Sequence, residues 1–385
     1  MITTIFIFAV VLSVMVFAHE FGHFWTARRF GVKVEEFGFG LPPRIIGFQR
    51  INKRWRVIWG NRLTVDKEPT IYSVNWIPVG GFVKIKGQDG EQAEMTDSFG
   101  HKKIWQRVII LVAGVIMNVF LCMVLLTWGF KLGLPAVLEG EPQGAKITGR
   151  NIQVVQVLPD LPAQQAGIRV GDIIIATDGQ PLPDIGSSQQ YLSDKADQTV
   201  NFLIRRGEEE LSYDIKITEF DGNTGIGVAL AETAIVSYSW PWAIIQGVKS
   251  TFIWLAAIVI AFYNLIKNLI FGLPTGADVA GPVGIAVLTG QFAELGFVYL
   301  LQFMALLSLN LAIVNILPFP ALDGGRVVFL LLEKIRGRAV KREWENLIHN
   351  IGFILLMVLV LWLTLSDVLK YGGNMIAGVK NLFGL

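Results

Sequence analysis

Charge is scarce in this chain: Asp, Glu, Lys and Arg make up 17% of its 385 residues, against about 25% in an ordinary soluble domain. The deficit points away from a soluble globule and toward a bilayer. Cysteine is nearly missing. The single Cys122 allows no intrachain disulfide and excludes a cysteine-based zinc ribbon. With only four histidines, any metal site must draw on a large share of them. The net charge of +2 is too small to recruit nucleic acid, and none is expected as a partner. Basic residues are also absent ahead of Arg28, so the first apolar run lacks the basic region of a secretory signal. Cleavage after Val16-Phe17-Ala18 would moreover leave His19 as a ragged terminus.

Apolar residues are abundant, at 52%. A bilayer core of about 30 Å asks for about 20 mostly apolar helical residues. Ile2–Ala27, Ile104–Phe130, Phe297–Leu317 and Ile351–Leu369 meet that demand. Lys and Arg are dense in the connection from Arg28 to Arg107, including Arg44, Arg50, Lys53, Arg54, Arg56, Arg62, Lys67, Lys84 and Lys86. They are dense again from Arg326 to Arg342. The bias places both connections on the cytoplasmic side. The stretch 132–239, with Glu208-Glu209-Glu210, and both termini then lie outside. Between these spans, residues 150–220 change character. Short β-like runs (Ile152–Val157, Ile173–Ala176, Val200–Arg205, Leu211–Ile217) alternate with turn signals such as Asp178-Gly179 and Arg206-Gly207. This is a small soluble β-rich insert. Its stretch Leu161–Ile174 resembles the signature of PDZ domains in bacterial proteases: a short helix ending at Gly167, a turn at Gly171-Asp172, then a strand.

Within the first span stand His19, Glu20 and His23. A spacing of four puts both imidazoles on one helix face, within reach of one Zn²⁺. Glu20, beside the first histidine, can take a proton from an attacking water and return it to the leaving amine. Ile2–Phe17 carries no charge, and ionisable groups at membrane depth are costly, so this cluster needs a reason beyond a polar helix end. Catalytic zinc takes three protein ligands. His101 and His349 lie beside the second and fourth runs. Asp323, after Pro318 and Pro320, is the better candidate, because backbone loosened by proline at membrane depth is tolerated around a site.

Together, His19-Glu20-Phe21-Gly22-His23 and Asn315-Ile316-Leu317-Pro318-Phe319-Pro320-Ala321-Leu322-Asp323-Gly324-Gly325, with a PDZ-like insert between them, resemble the site-2 protease family of intramembrane metalloproteases. Within it the chain is most similar to the bacterial regulator-of-sigma-E protease subgroup, over nearly its whole length. The resemblance implies zinc held by His19, His23 and Asp323, with Glu20 as general base. It further implies substrate contacts at Asn315, at Asn118 in the Ala113–Asn118 element, and at Gly80 and Gly81 in a membrane-associated β-hairpin. The other readings of these residues are a helix-break cap for Asn315, interhelix packing for Asn118 and a hairpin that merely packs. Ala280–Ile285 also resembles a family element. His101 and His349 have no motif behind them and read as ordinary interface residues.

The expected fold is a polytopic α-helical membrane protein with four transmembrane helices, a membrane-associated β-hairpin region and one extracytoplasmic PDZ domain. The divisions run 1–31, 32–103 (β region), 104–130, 131–149, 150–220 (PDZ), 221–295, 296–325, 326–349 and 350–385. The run Trp240–Phe271 is apolar enough to span. Yet His19, His23 and Asp323 each follow the bulk of their own helix, so the first and third spans must run the same way. Trp240–Phe271 is therefore expected to lie at the outer interface or pack peripherally. The expected localisation is the inner (cytoplasmic) membrane, with the active site toward the cytoplasmic side. The expected activity is hydrolysis of peptide bonds within transmembrane segments of single-span proteins, such as anti-sigma factors or leftover signal peptides, with the PDZ domain as size filter or docking site. The competing classes are a non-catalytic PDZ scaffold with a structural metal, which would want four protein ligands, and a metal transporter, which would want polar residues along several helices.

Overall fold

A computed structural model describes residues 2–60, 69–88, 92, 94–138, 142–158, 160–182, 185–207, 209–220, 223–273 and 280–383. Arg62 and Lys67 of the basic connection, and Glu208 of the acidic run, lie outside the described residues. The chain divides into two compact units, 1–127 with 244–385, and 128–243.

The first unit begins with α1 (Ile2–Arg29). Three strands follow, β1 (Val34–Ile51), β2 (Arg54–Trp59) and β3 (Ile71–Ile85), and then α2 (Ile104–Leu132). After the second unit come α5 (Trp240–Phe271), α6 (Pro282–Leu295), α7 (Phe297–Ile316), α8 (Asp323–Arg336) and α9 (Arg342–Phe383). Among the described residues, five stretches, Thr3–Arg29, Ile104–Leu132, Trp240–Phe271, Phe297–Ile316 and Arg342–Lys370, are long and apolar enough to cross a membrane. The chain is a multi-pass membrane protein. α8 is different in kind. Its first turn holds Asp323, its last turn Lys334 and Arg336, and Gly337 ends it in a left-handed cap, complementing the helix dipole at both ends.

Small residues set how closely the helices pack. Gly22 of α1 lies directly on the backbone of Ala113 and Gly114 in α2. Gly290 of α6 accommodates Thr4 at the start of α1, and Phe292 of α6 stacks on Phe303 of α7 with centroids 4.5 Å apart. The opposite ends of α1 and α7 meet at His19 and Asn315, so these two helices run in the same direction. α9 runs back: Gly352 packs on Pro320 at the end of α7. Fifteen residues on, the buried Asp367 carboxylate accepts from Gly281 N (3.2 Å) and Gly284 N (2.7 Å) at the head of α6. α5 touches α2 through Gly247 against Thr127 and Thr251 against Cys122. Beyond that contact Phe252, Ile253, Val259, Ile260 and Tyr263 are exposed.

The three strands form one sheet in the order β2-β1-β3. The β1–β2 turn uses Asn52 and Lys53, both with positive φ, as a tight hairpin demands. The first half of β1 pairs with both halves of β3, Phe37 facing Tyr72 on one side and Val83 on the other. This makes the end of β3 an edge that lies along α1. The Gly80 N–H donates to Ser13 Oγ at 3.2 Å, and Gly81 lies over Phe17. Phe24, Ala27, Val34, Phe37, Ile85, Ile110, Leu111 and Leu330 join helix, sheet and α8 in one core.

The second unit contains β4 (Leu134–Val137), β5 (Ala145–Val157), α3 (Pro162–Ala166), β6 (Ile173–Thr177), β7 (Gln180–Pro181), α4 (Ile185–Asp194), β8 (Thr199–Arg206), β9 (Glu209–Lys216), β10 (Thr218–Phe220), β11 (Asn223–Gly225) and β12 (Val228–Tyr238). Its main sheet runs β4-β12-β5-β6-β8-β9, with β7 on β6. The strands at both ends of this unit lie beyond 150–220, because alternation in Val228–Tyr238 continues the same sheet. As the glycine pattern implied, α3 stops at Gly167 in the left-handed region. Asp172 then accepts from the Arg169 N–H at 2.8 Å and from Arg206 Nε and Nη2, each at 2.7 Å.

One ion pair closes the connection into α2. Lys86, with a buried side chain, reaches both Asp97 oxygens at 3.0 and 3.1 Å and holds the Asp97 carboxyl below its ordinary range. A depressed carboxyl contributes stability above its unfolded value, and loses it as pH falls through the folded one. Asp97→Asn should therefore lower the melting temperature at pH 7, with the gap to the parent protein narrowing toward pH 3. A constant gap across that range would remove the ion pair from the explanation.

Candidate metal centre

α1 places His19 and His23 on successive turns, their rings 4.7 Å apart and nearly perpendicular. Both are buried. α7 ends at Ile316 because Pro318 and Pro320 cannot continue it. The chain then turns sharply and delivers Asp323 at the head of α8. Two close backbone approaches explain the glycines that follow: Gly324 sits under the carbonyls of Ile316 and Leu317, and Gly325 under that of Phe319.

His19 Nε2 lies 3.0 Å from Asp323 Oδ2, His23 Nε2 lies 3.3 Å from the same oxygen, and the two Nε2 atoms are 3.1 Å apart. Ligands about 2.0–2.1 Å from a tetrahedral zinc stand about 3.3 Å from one another. The three contacts thus have the size of one face of such a tetrahedron. The proton count agrees. His23 Nδ1–H donates to the Ile110 carbonyl at 2.8 Å, so in the neutral ring Nε2 presents a lone pair. Asn118, fully buried, has its amide 3.4 Å from His19 Nδ1, while its Oδ1 has no partner. Turning that amide over gives Oδ1 the His19 Nδ1–H and leaves the second Nε2 lone pair facing inward as well. Lone pairs and a carboxylate oxygen converging in a buried space call for a cation. The donor set fits zinc.

Gly114 forms the floor of the site. A methyl group there would stand 2.5 Å from His23 Nε2 and 2.8 Å from His19 Nε2. Glu20 is half-buried beside the pair, with the Val83 N–H of β3 within hydrogen-bonding reach of its carboxylate. Asn315 holds its amide 3.4 Å from His19 Nε2. The structure therefore brings His19, Glu20, His23, Asn118, Asn315 and Asp323 together. Gly80 and Gly81 lie along α1 at Ser13, Val16 and Phe17, before the histidines. Among the described residues, the group able to hold a metal is His19, His23 and Asp323. His101 closes a short turn before α2, away from it. Sequence reasoning missed three contributions: the Ile110 carbonyl, the space left by Gly114 for the imidazoles, and His349, whose Nδ1 accepts from the Ala321 N–H at 2.9 Å. A backbone carbonyl carries no residue-type signal. The glycine was legible only as a site of close helix approach.

The family model for peptidase family M50 matches residues 7–61 and 52–359. The chain is 28% identical over 448 residues to the zinc metalloprotease RasP of Geobacillus kaustophilus, covering 94% of this chain and 97% of that protein. It is 27% identical over 453 residues to the regulator of sigma-W protease RasP of Bacillus subtilis, covering 95% and 98%. Among solved structures, the PDZ domain of an SdrC-like protein from Listeria monocytogenes is 31% identical over 22% of this chain and 92% of that one, with a TM-score of 0.20. The chain belongs to peptidase family M50, and it is a zinc metalloprotease of the site-2 type.

Gly114→Ala places a methyl group against both Nε2 atoms. Overpacking of this kind costs about 1–3 kcal/mol, which predicts a drop of about 10-fold or more in divalent-metal affinity, measured by chelator competition on the purified protein. Unchanged affinity would mean that the rings have room to retreat.

Proposed function

We propose that the chain hydrolyses peptide bonds inside transmembrane helices of single-span substrates, using zinc held by His19, His23 and Asp323. The reading is carried by the three contacts of 3.0, 3.1 and 3.3 Å, which join the two histidines of apolar α1 to Asp323 at the head of α8. Bound zinc supplies Lewis acidity that makes water nucleophilic near neutral pH. Three protein ligands leave a coordination position open, which separates a catalytic from a structural site. Glu20 takes the proton of the attacking water and passes it to the amine nitrogen as the peptide bond breaks. Asn315 pairs with the substrate backbone, whose own hydrogen bonds must open first. The β3 edge that lies along α1, at Gly80 and Gly81, offers further backbone partners. Asn118 holds the His19 ring from behind.

Four helices, α1, α2, α7 and α9, cross the membrane in this reading. The common direction of α1 and α7 supports it, as does α6, which sits at the end of α1 and α2 where α5 begins. A net crossing between α2 and α7 is then not called for, and α5 is peripheral. The basic connections face the cytoplasm, and the termini and the β-rich unit lie outside the inner membrane. That unit serves as a PDZ domain which docks substrates or screens them by size. The name of the Bacillus relative, a regulator of sigma-W protease, points to anti-sigma factors as the substrate class, and remnant signal peptides share the same single-span form.

Glu20→Gln should retain zinc and lose cleavage of a model membrane substrate by about 10²–10⁴-fold. Persistent turnover by that purified variant would remove Glu20 as the base. For topology, Lys267→Cys and Arg336→Cys, each in a Cys122→Ala background, should label from opposite faces of the membrane. Labelling from one face would reinstate α5 as a span.

A further inference from the structure

The Pro318–Asp323 turn contains a conformation that its own sequence does not favour. Ala321 has φ +79°, in the left-handed region where an alanine side chain is strained. The other non-glycine residues with positive φ among those described are Asn, Asp, Gln or Lys in turns. Such a conformation persists only where its surroundings impose it. One hydrogen bond does so here: the Ala321 N–H donates to His349 Nδ1 at 2.9 Å. Because Nδ1 accepts, the proton of the neutral ring sits on Nε2, which is buried without a partner beside a cavity of about 480 Å³. Phe329 of α8 flanks the imidazole at 5.4 Å. One turn further along α9, Gly352 lies against Pro320. α9 thus grips the turn at two successive residues, and Asp323 follows two residues later.

We propose that His349 is a positioning residue for the metal centre: its Nδ1 holds Ala321 in the left-handed conformation that aims Asp323 Oδ2 at His19 and His23. This rests on reading Asp323 as a zinc ligand. The role requires an acceptor at the Nδ1 position and nothing at Nε2. Asparagine places its Oδ1 where histidine has Nδ1, whereas glutamine carries its oxygen one carbon further out.

The test compares zinc affinity, by competition with a chromophoric chelator, for the full-length protein and its His349→Asn, His349→Gln, His349→Ala and Asp323→Ala variants. Outer-shell partners typically contribute about 10–100-fold to metal affinity. His349→Gln and His349→Ala should lose about 10-fold, while His349→Asn should stay within about 2-fold of the parent. In cleavage assays at saturating zinc, His349→Gln should lower kcat and leave KM unchanged. Equal losses in the Asn and Gln variants would overturn the proposal, because packing rather than the acceptor would then matter. Parent-like affinity in the Gln and Ala variants would overturn it as well. An Asp323→Ala variant that binds zinc as the parent does would instead defeat the ligand assignment on which the proposal stands.

Discussion

Two imidazole lone pairs and a carboxylate oxygen, all within 3.3 Å of one another and largely buried, repel unless a positive charge lies between them. The local architecture of the first unit can be understood as the means of holding this unfavourable arrangement together. The close contact of Gly22 with Ala113 and Gly114 brings α2 near enough for the Ile110 carbonyl to fix one ring. It also lets the Asn118 amide stand against the other. The break after α7 frees the chain to swing a carboxylate across. The cost is an open turn at Pro318–Leu322, and α9 closes it.

The same arrangement accounts for how reactivity is confined. Glu20 shares its helix with both histidines, so its distance from the centre is set by helical geometry rather than by a mobile loop. The β3 edge beside it runs along α1 and leads to the same point. The Glu20 carboxylate, the histidine pair and a strand edge therefore meet on α1, with α2 packed directly against the histidines.

Much of this was legible in the chain. The spacing of His19 and His23 fixes a shared face wherever a helix forms, and the lack of charge over Ile2–Phe17 tells that the helix is apolar. Pro318 and Pro320 announced a break, and the Gly167 and Gly171-Asp172 signals appear in the structure as a helix cap and a turn. What stayed hidden depends on contacts between residues far apart in sequence. Nothing local marks Ile110 as a hydrogen-bond acceptor for His23, 87 residues away. His349 looked like an interface histidine because its partner is a backbone N–H, and left-handed alanine has no sequence signature. The first and last strands of the β-rich unit were missed for a related reason: β4 and β12 pair across nearly a hundred residues, so a local change of composition marks only the strands from β5 to β9.

Asp367 adds a mechanical consequence. Its carboxylate caps the head of α6, while Gly352 and His349, about four and five turns earlier on α9, clasp the turn before Asp323. The helical stretch between these two contacts fixes the distance between them. One stretch of α9 therefore ties the head of α6 to the turn that carries Asp323 toward the histidines.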